Sequence, residues 1–385
     1  MPKNAGNSVY LKRYNRALLL GLVREHGSIS RTALARLTGL APKSVYEIAA
    51  GLIDDGYLDG GSVGDSNGGR RPAMLSLRRN SFFSIGVDID VGSLRAVLME
   101  LTGGVLFTMD ADVPGGTYGD FLDAIEQAVG GIIRRHSIAP DRLLGVGVSV
   151  PGFIDRKTGR ILMAPNLGWE NRDMAADLGR RLGCALFVEN EAMATAVCEK
   201  WIGCCRDDAD FICINIKSGI GAGIFLADKP YTGASGTAGE IGHIPVERNG
   251  PLCGCKNRGC LETMCSTRAL LSKAAVLYGR PFTLDELIAL AEHDGKARGI
   301  FTTAADYLAL VITGLINALN PSRIVLGKDF VRYSHLMLGE IITRTAATAL
   351  RHSFSAAAIT VSGFAQDDSV LGAAILPVRN VFSPS

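Results

Sequence analysis

The chain has 385 residues, a formal net charge of +2 and nine cysteines without a repeating spacing. Its length exceeds what a single hydrophobic core usually supports, so the sequence predicts two or three domains. Unpatterned cysteines argue against a secreted disulfide framework, and a polar N-terminus followed by short apolar runs argues against export or membrane insertion, so we expect a cytoplasmic protein.

Positive charge is concentrated at the N-terminal end. Residues 1–79 contain 12 Lys or Arg against 6 Asp or Glu, whereas the remainder contains 28 against 32. A basic N-terminal segment followed by a mildly acidic remainder is typical of a protein that contacts a polyanion with one end. A solubilising basic face would give the same balance.

The first helices predict a helix-turn-helix. Apolar residues recur at helical spacing over residues 15–26, Ser30 is a plausible N-cap for a short second helix, and Gly39 supplies the turn before a third helix at Pro42. The third helix would be the recognition helix, whose early residues face base edges in the major groove. The residues of this helix that we predict to contact DNA are Lys43, Ser44, Tyr46 and Glu47.

A strand, a glycine-containing loop and a second strand follow Gly56, which is the pattern of a wing. Arg70 and Arg71 would lie at its tip, because the negative potential of a narrow minor groove favours guanidinium groups. An ordinary small bundle would also show three amphipathic helices, but it does not need a basic wing. The sequence therefore predicts a winged helix-turn-helix DNA-binding domain over residues 1–79.

From Phe82 onward, apolar strands alternate with helices, and glycine-rich turns follow several strands. This pattern predicts an α/β fold with ligands at the loop ends. The stretch 253–265 reads CGCKNRGCLETMC and holds four cysteines. Three of them suit a closed, structural Zn²⁺ site together with an upstream histidine, whereas a disulfide and inert buried thiols are less expected alternatives. The predicted ligands are His243, Cys253, Cys255 and Cys260, and Cys265 is expected in the core.

The order of the motifs VDI-G, SVPG, VENEA, SGIGAG, GEIGHIPV and GPLCGCKNRGCLE resembles the ROK family of sugar kinases and repressors. The resemblance covers about residues 82–385 and, with the winged helix in front, matches the repressor branch. It implies an actin-like two-lobed sugar-kinase fold. We expect residues 80–192 to form one lobe and 193–385 the other, with the C-terminal helix returning to the first. The resemblance also implies a homodimer or homotetramer on palindromic operator DNA.

The resemblance also implies a sugar site and assigns the same four zinc ligands. In ROK kinases, the residues matching Glu240, His243 and Glu262 hydrogen-bond sugar hydroxyls, and a carboxylate can accept from two adjacent hydroxyls. Taken without their neighbours, the two glutamates could equally be a solvated surface pair. The residues expected to contact a free sugar or amino sugar are Asn166, Asn190, Glu191, Glu240, His243 and Glu262.

Three nucleotide-binding elements depart from the kinase pattern. Glu191 takes the position of the catalytic Asp and is one methylene longer, which weakens catalysis if the carboxylate is displaced. Asp90 adds negative charge to the first phosphate turn, and Lys328 replaces a glycine near the adenine side. Ser218–Gly223 matches a second phosphate turn of the kinases, with the exception of the preceding residue, Lys217. A tight hairpin would have the same sequence.

The sequence therefore predicts a sugar-responsive transcriptional regulator without kinase activity. A sugar kinase, a bifunctional kinase-regulator and a regulator controlled by a protein partner are alternatives, and activation is as open as repression. Glu at the position of Glu191 also occurs in xylose-type repressors of the family, which favours a pentose as the effector.

Overall fold

The computed structural model describes residues 8–63, 73–364 and 367–383. The predicted wing-tip residues Arg70 and Arg71 lie outside the described residues. The N-terminal elements form the winged helix-turn-helix arrangement, with a sheet in the order β1-β3-β2. They are α1 (Ser8–His26), β1 (Ile29–Ser30), α2 (Arg31–Thr38), α3 (Pro42–Asp54), β2 (Leu58–Val63) and β3 (Ala73–Leu77).

Local signals position the helices of this domain. The side chain of Ser30 accepts a hydrogen bond from the Ala33 backbone N–H at 3.1 Å and so caps α2. Gly39 ends α2 at a φ of +70°, a left-handed conformation that favours glycine. The structure also adds two features to the prediction: α1 begins at Ser8, and β1 pairs Ile29 with Leu75 of β3.

The first lobe is built on a five-stranded sheet in the order β11-β7-β4-β5-β6. Strands β4, β5 and β6 are antiparallel neighbours, whereas β7 and β11 extend the sheet in parallel. The elements are β4 (Phe83–Asp90), β5 (Ser93–Glu100), β6 (Val105–Asp112), α4 (Tyr118–Arg135), β7 (Leu143–Val150), β8 (Phe153–Asp155), β9 (Arg160–Ala164), β10 (Trp169–Arg172), α5 (Met174–Leu182), β11 (Leu186–Asn190) and α6 (Glu191–Trp201), with short 3₁₀ helices at Pro140–Arg142 and Pro165–Leu167.

The second lobe repeats this plan with a sheet in the order β14-β13-β12-β15-β16. Its β12 and β13 are antiparallel, and β15 and β16 continue the sheet in parallel. The elements are β12 (Phe211–Ile216), β13 (Ile220–Leu226), β14 (Lys229–Pro230), α7 (Leu261–Cys265), α8 (Thr267–Tyr278), α9 (Leu284–Ala291), α10 (Gly295–Leu319), β15 (Arg323–Lys328), α11 (Phe330–Thr348), α12 (Arg351–Ala356), β16 (Ala358–Val361) and α13 (Asp368–Phe382), with a 3₁₀ helix at Ile241–His243.

Helices α6 and α13 pack together between the two sheets. The C-terminal helix α13 also contacts β4 and β7, so the end of the chain returns to the first lobe. Glycine allows this close packing: a Cβ on Gly372 would lie 1.8 Å from the Ala194 carbonyl oxygen, and one on Gly147 would lie 1.9 Å from that of Ala373. Helix α13 therefore packs against α6 and β7 so closely that no room is left for a methyl group at these glycines.

Helix α10 is the one helix among the described residues that is long and apolar enough to cross a membrane, with a mean hydropathy of 1.6. In this fold it lies in the core of the second lobe, where it packs against α11 and buries Phe301 and Ile312 completely. Its apolar character is explained by that packing, since a core helix passes the same test.

The N-terminal domain contacts the two-lobed body at two places, one of them on α1. The guanidinium of Arg24 lies 3.3 Å from the centroid of the Trp201 ring, and its Nη2 donates a hydrogen bond to the Trp201 carbonyl at 2.7 Å. Trp201 packs edge-to-face on Phe382 of α13. A second contact is the stacking of Tyr57 on Phe82, with 4.2 Å between the ring centroids.

Candidate functional site

A cleft of about 830 Å³ opens between the two lobes. It is lined by the end of β11, the start of α6, the β12–β13 turn and the cysteine-containing loop. All six residues predicted from the sequence to contact a sugar line this one cleft: Asn166, Asn190, Glu191, Glu240, His243 and Glu262. The structure therefore brings together side chains separated by almost a hundred positions in the chain.

Asn190 caps α6, and this role uses most of its side chain. Its Oδ1 accepts hydrogen bonds from the backbone N–H groups of Ala192 and Met193, while its Nδ2 donates to the Gly152 carbonyl at 2.7 Å. Only one N–H of the amide remains for a ligand. The main consequence of this cap is to fix the first turn of α6, which carries Glu191 into the cleft.

Two glutamates flank the histidine of the cleft. His243 Nε2 lies 4.0 Å from a Glu240 carboxylate oxygen, and His243 Nδ1 lies 3.8 Å from Glu262 Oε1. Burial raises the pKa of Glu240, and the neighbouring negative charge of Glu262 raises it further, while His243 lowers it. Acceptors on either side of an imidazole form a polar wall that can bind several adjacent hydroxyl groups.

The three predicted cysteines and His243 form one compact group. One ligand atom from each residue lies within 4.8 Å of the others. The Sγ atoms of Cys255 and Cys260 are 3.6 Å apart, close to the spacing of about 3.8 Å that two thiolates take at 2.3 Å from a tetrahedral zinc. His243 presents Nδ1 to this group, 3.4 Å from Cys253 Sγ, and turns Nε2 toward Glu240.

Local backbone geometry folds the cysteine loop back on itself. Isolated β-bridges pair Pro245 with Cys260 and Leu252 with Arg258. Gly259 has a φ of +63°, and a Cβ there would lie 1.6 Å from the Glu247 carbonyl oxygen. A loop of this shape therefore requires glycine at position 259.

The donor set of the group suits zinc. A hydrogen bond from the Asn257 backbone lowers the pKa of the Cys255 thiol to about 7, which favours the thiolate that binds a metal. Cys260 immediately precedes α7, and the first turn of α7 carries Glu262. A metal held here would therefore fix both a histidine and a glutamate of the cleft wall. Cys265, left out of the predicted ligand set, is buried in the core of the second lobe.

Sequence reasoning missed the role of Lys328. Its side chain is 3 % exposed, and its Nζ lies 3.2 Å from Glu191 Oε1 and 2.7 Å from Asp368 Oδ1. It also donates to the Ser369 hydroxyl at 2.6 Å. Burial lowers the pKa of Lys328, but the carboxylates of Glu191, Asp368 and Asp88 outweigh that effect and raise it above its usual value.

The buried lysine occupies the region where the kinase resemblance calls for a nucleotide. Asp88, near the end of β4, belongs to the turn that the resemblance aligns with the first phosphate turn of the kinases. Burial raises its pKa to about 6 although Lys328 acts in the opposite direction. Lys217 at the end of β12 forms an ion pair with Asp90. In the sequence, Lys217 and Lys328 are only two separate departures from the glycine-rich pattern. In the structure, both lysines belong to the second lobe and pair with carboxylates of the first lobe.

The second glycine-rich turn is a tight hairpin. Ile216 pairs with Ile220 across it, and the Lys217 N–H donates to the Gly219 carbonyl at 3.0 Å. Gly223 lies where β13 contacts α6, and a Cβ there would be 2.3 Å from the Ala192 carbonyl oxygen. The hairpin interpretation of this motif accounts for the glycine at position 223 through packing alone.

The predicted recognition helix presents a polar surface. Lys43, Tyr46 and Glu47 are exposed on α3, while Ser44 is half-buried. Arg31 of α2 lies over the Tyr46 ring, with its guanidinium carbon 5.3 Å from the centroid. These side chains are free of the domain core, which is the placement that contact with a groove requires.

Comparison with known proteins supports this architecture. Residues 84–380 match the model of the ROK family. The chain is 31% identical to the xylose repressor of Caldicellulosiruptor bescii over 355 residues, covering 87% of this chain and 88% of that protein. It is 29% identical to the transcriptional dual regulator NagC of Escherichia coli K12 over 346 residues, covering 87% and 85% of the two chains.

Solved structures similar to this one include both regulators and kinases. A ROK family transcriptional regulator, a homologue of the Escherichia coli MLC protein, superimposes with a TM-score of 0.86 at 25% identity and covers 97% of each chain. A ROK glucokinase of Streptomyces griseus, solved with glucose and AMPPNP, has a TM-score of 0.68 at 27% identity and covers 76% of this chain and 98% of its own. The chain belongs to the ROK family.

Proposed function

We propose that this protein is a sugar-responsive transcriptional repressor without kinase activity. It binds operator DNA through α3 and the wing and binds a free sugar or amino sugar in the interlobe cleft. The observation that carries the proposal is Lys328. It pairs with Glu191 at the position of the catalytic base, while Glu240, His243 and Glu262 remain in the cleft for hydroxyl groups.

The ion pairs of the cleft disfavour phosphoryl transfer. A general base must be free to accept a proton from the attacking hydroxyl. The Glu191 carboxylate instead contacts the buried Lys328 ammonium, with 3.2 Å between Nζ and Oε1. Asp90, held by Lys217, places negative charge beside the turn that would meet nucleotide phosphates. Proteins named xylose repressor and N-acetylglucosamine repressor are among the relatives, which supports a sugar as the effector.

A thermal-shift screen of the full-length protein against free pentoses, hexoses and N-acetylated amino sugars tests the sugar site. We expect one class of sugar to raise the melting temperature and to change the affinity for an operator fragment. Glu240→Gln should abolish both effects, whereas Glu340→Gln on the exposed face of α11 should retain them. If no sugar changes melting or DNA binding, control by a protein partner becomes the better hypothesis.

An ATP-turnover assay with the same sugars tests the alternative of a sugar kinase, which the similarity to the glucokinase supports. We expect no sugar-dependent release of ADP above the background of a Glu191→Gln variant. ADP release that depends on both the sugar and Glu191 would contradict the proposal, because it would show that the ion pair with Lys328 leaves the carboxylate able to act as a base.

The proposal includes a structural zinc bound by His243, Cys253, Cys255 and Cys260. Zinc would fix the loop that holds His243 and the helix that carries Glu262, so it would act on the sugar site without taking part in chemistry. Cys255→Ser should lose this zinc and weaken sugar binding, while Cys184→Ser in the first lobe should change neither. If the Cys255→Ser variant, after loading with zinc, contains as much zinc as the natural protein, this assignment is contradicted.

The remaining parts of the proposal concern organisation. We propose domain limits of 1–79 for the DNA-binding domain, 80–192 for the first lobe and 193–385 for the second, with α13 associated with the first lobe. A cytoplasmic homodimer or homotetramer would present two recognition helices to a palindromic operator. Light scattering of the purified protein alone and on operator DNA tests the oligomeric state.

A further inference from the structure

A second group of metal-ligating side chains lies outside the cleft, at the C-terminal end of α6. Glu199, Cys204 and Cys205 each offer one ligand atom, and these atoms lie within 4.8 Å of one another. The two Sγ atoms are 3.9 Å apart, close to the spacing of about 3.8 Å expected for two thiolates on one tetrahedral zinc. Cys204 is exposed and Cys205 is buried, so solvent reaches one side of the group.

The carboxylate of Glu199 is an independent indication of a bound cation. Glu199 is completely buried and accepts hydrogen bonds from the Ser362 hydroxyl at 2.7 Å and the Cys204 backbone N–H at 3.0 Å. Nearby cations are engaged elsewhere: Lys200 pairs with Asp228 and Arg323 with Asp208. Within the described part of the chain, Glu199 takes part in no ion pair. A buried carboxylate without a cation is costly, and a metal ion beside it would offset that cost.

We propose that Glu199, Cys204 and Cys205 bind a thiophilic divalent cation, for which Zn²⁺ is the probe. Binding displaces the two thiol protons to solvent and leaves two thiolates and one carboxylate on the ion. The exposed side of Cys204 leaves the fourth position of a tetrahedron to a water molecule. The site is separate from the group around His243, which lies on the cysteine loop of the second lobe.

The proposed ion would act on the contact between the body and the DNA-binding domain. Trp201 lies between Glu199 and Cys204 in the chain, at the last residue of α6. Its carbonyl and ring are the groups that Arg24 of α1 contacts. Holding Glu199 and Cys204 on one ion closes the turn that carries Trp201, so occupancy of the site fixes the surface against which α1 packs.

Metal content of the full-length protein tests the site. The protein is equilibrated with buffered Zn²⁺ under a phosphine reductant, and bound zinc is measured by mass spectrometry. We expect two zinc ions per chain in the natural protein and one after the double change Cys204→Ser and Cys205→Ser. Cys255→Ser should also leave one, and Cys184→Ser should keep two. Zinc content that does not change with the double substitution overturns the proposal.

Glu199→Gln is a second test of the site, which remains valid if the double cysteine variant loses its structure. It keeps the shape of the side chain but removes the charge, so a chelator competition should show zinc affinity at this site falling by about tenfold or more. Circular dichroism of each variant monitors the fold. Unchanged affinity in a folded Glu199→Gln variant would exclude the carboxylate as a ligand and overturn the proposed donor set.

Fluorescence of Trp201 tests the link to α1. The sequence has two tryptophans, so a Trp169→Phe background isolates Trp201. Zinc should change the emission of Trp201 with the same midpoint as occupancy of the second site, and the double cysteine variant should lose the response while Cys255→Ser keeps it. Zinc binding at Cys204 and Cys205 without a change in emission would overturn the proposed effect on the α1 contact.

Discussion

At the residue scale, Lys328 changes what the cleft can do. Its ammonium is the counter-charge for Glu191 and Asp368, and the burial of Lys328 and Asp368 keeps water from taking its place. The left-handed φ of +62° at Lys328 belongs to a position where the family pattern calls for glycine. The backbone at Lys328 thus has a conformation that favours glycine, while its side chain is a buried cation next to Glu191.

Removing this cation should destabilise the protein strongly. Lys328→Met keeps most of the side-chain volume but leaves buried carboxylates without a partner, so we expect the free energy of unfolding to fall by about 3–5 kcal/mol. Urea unfolding at neutral pH measures the change. Lys229→Met, at an exposed position of β14, is the control and should stay within about 0.5 kcal/mol of the natural protein. A loss below about 1 kcal/mol at Lys328 would contradict its role as the counter-charge.

Asp88 predicts a pH dependence with a definite sign. Its pKa is raised from the ordinary 3.8 to about 6, so the folded state binds a proton more tightly than the unfolded state. The stability linked to this proton is fully present below pH 3.8 and is lost as the pH rises through 6. The stability of the natural protein relative to Asp88→Asn should therefore fall between about pH 4 and pH 6 and level off above that range.

Thermal melts of both proteins with equal zinc loading would measure this difference. Asp112→Asn, at an exposed position on β6, provides the matched control for replacing an aspartate by asparagine. A relative stability of Asp88→Asn that is constant, or that changes in the opposite direction with pH, would show that Asp88 is not a buried group with a raised pKa.

At the scale of elements, packing of α13 depends on glycine. A Cβ at Gly372 would lie 1.8 Å from the Ala194 carbonyl oxygen, so Gly372→Ala must push α13 away from α6. We expect a loss of about 1–3 kcal/mol in the free energy of unfolding, as for other overpacked cores. The matched change Gly314→Ala, in α10 with open space around it, should instead stabilise the protein by about 0.5–1 kcal/mol. Similar effects of the two changes would contradict the close contact.

The elements that the sequence predicts well are those with local signals. Ser30 caps the start of α2, Gly39 ends α2, and Pro42 begins α3. Each of these residues acts on the backbone next to it, so the local sequence is enough to predict the helix end. The four-residue group of His243 and three cysteines was likewise predictable, because its spacing carries its own chemistry. What local patterns could not give is the order of the ten strands in the two main sheets, which depends on contacts between distant segments.

The role of Lys328 was not predictable for the same reason. Its partners Asp88 and Glu191 lie far before it in the chain, and a lysine at a strand end usually lies in solvent. The sequence shows only that Lys328 replaces a glycine of the kinase pattern. In the folded protein, Lys328 forms an ion pair between the lobes. A pattern within one segment of the chain cannot predict such a contact.

At the scale of the whole molecule, the proposed function requires that a sugar in the cleft affect the N-terminal domain at the other end of α6. Helix α6 begins at Glu191 in the cleft and ends at Trp201 against α1, so one rigid element joins the two places. Allosteric control requires that the sugar bind two arrangements of the molecule with different affinity. The contact of Arg24 with Trp201 is the point at which α6 could transmit that difference.

Arg24→Met should therefore uncouple the two functions. With the sugar identified by the thermal-shift screen, we expect the natural protein to change its affinity for operator DNA by about fivefold or more on sugar binding, the lower range of known allosteric couplings. In Arg24→Met the change should fall below about twofold, while the affinity for the sugar stays the same. Arg135→Met removes a similar contact, with the Phe107 ring in the first lobe, and should keep the full response. Full sugar control in Arg24→Met would place the transmission elsewhere, with the Tyr57–Phe82 stack as the next contact to change.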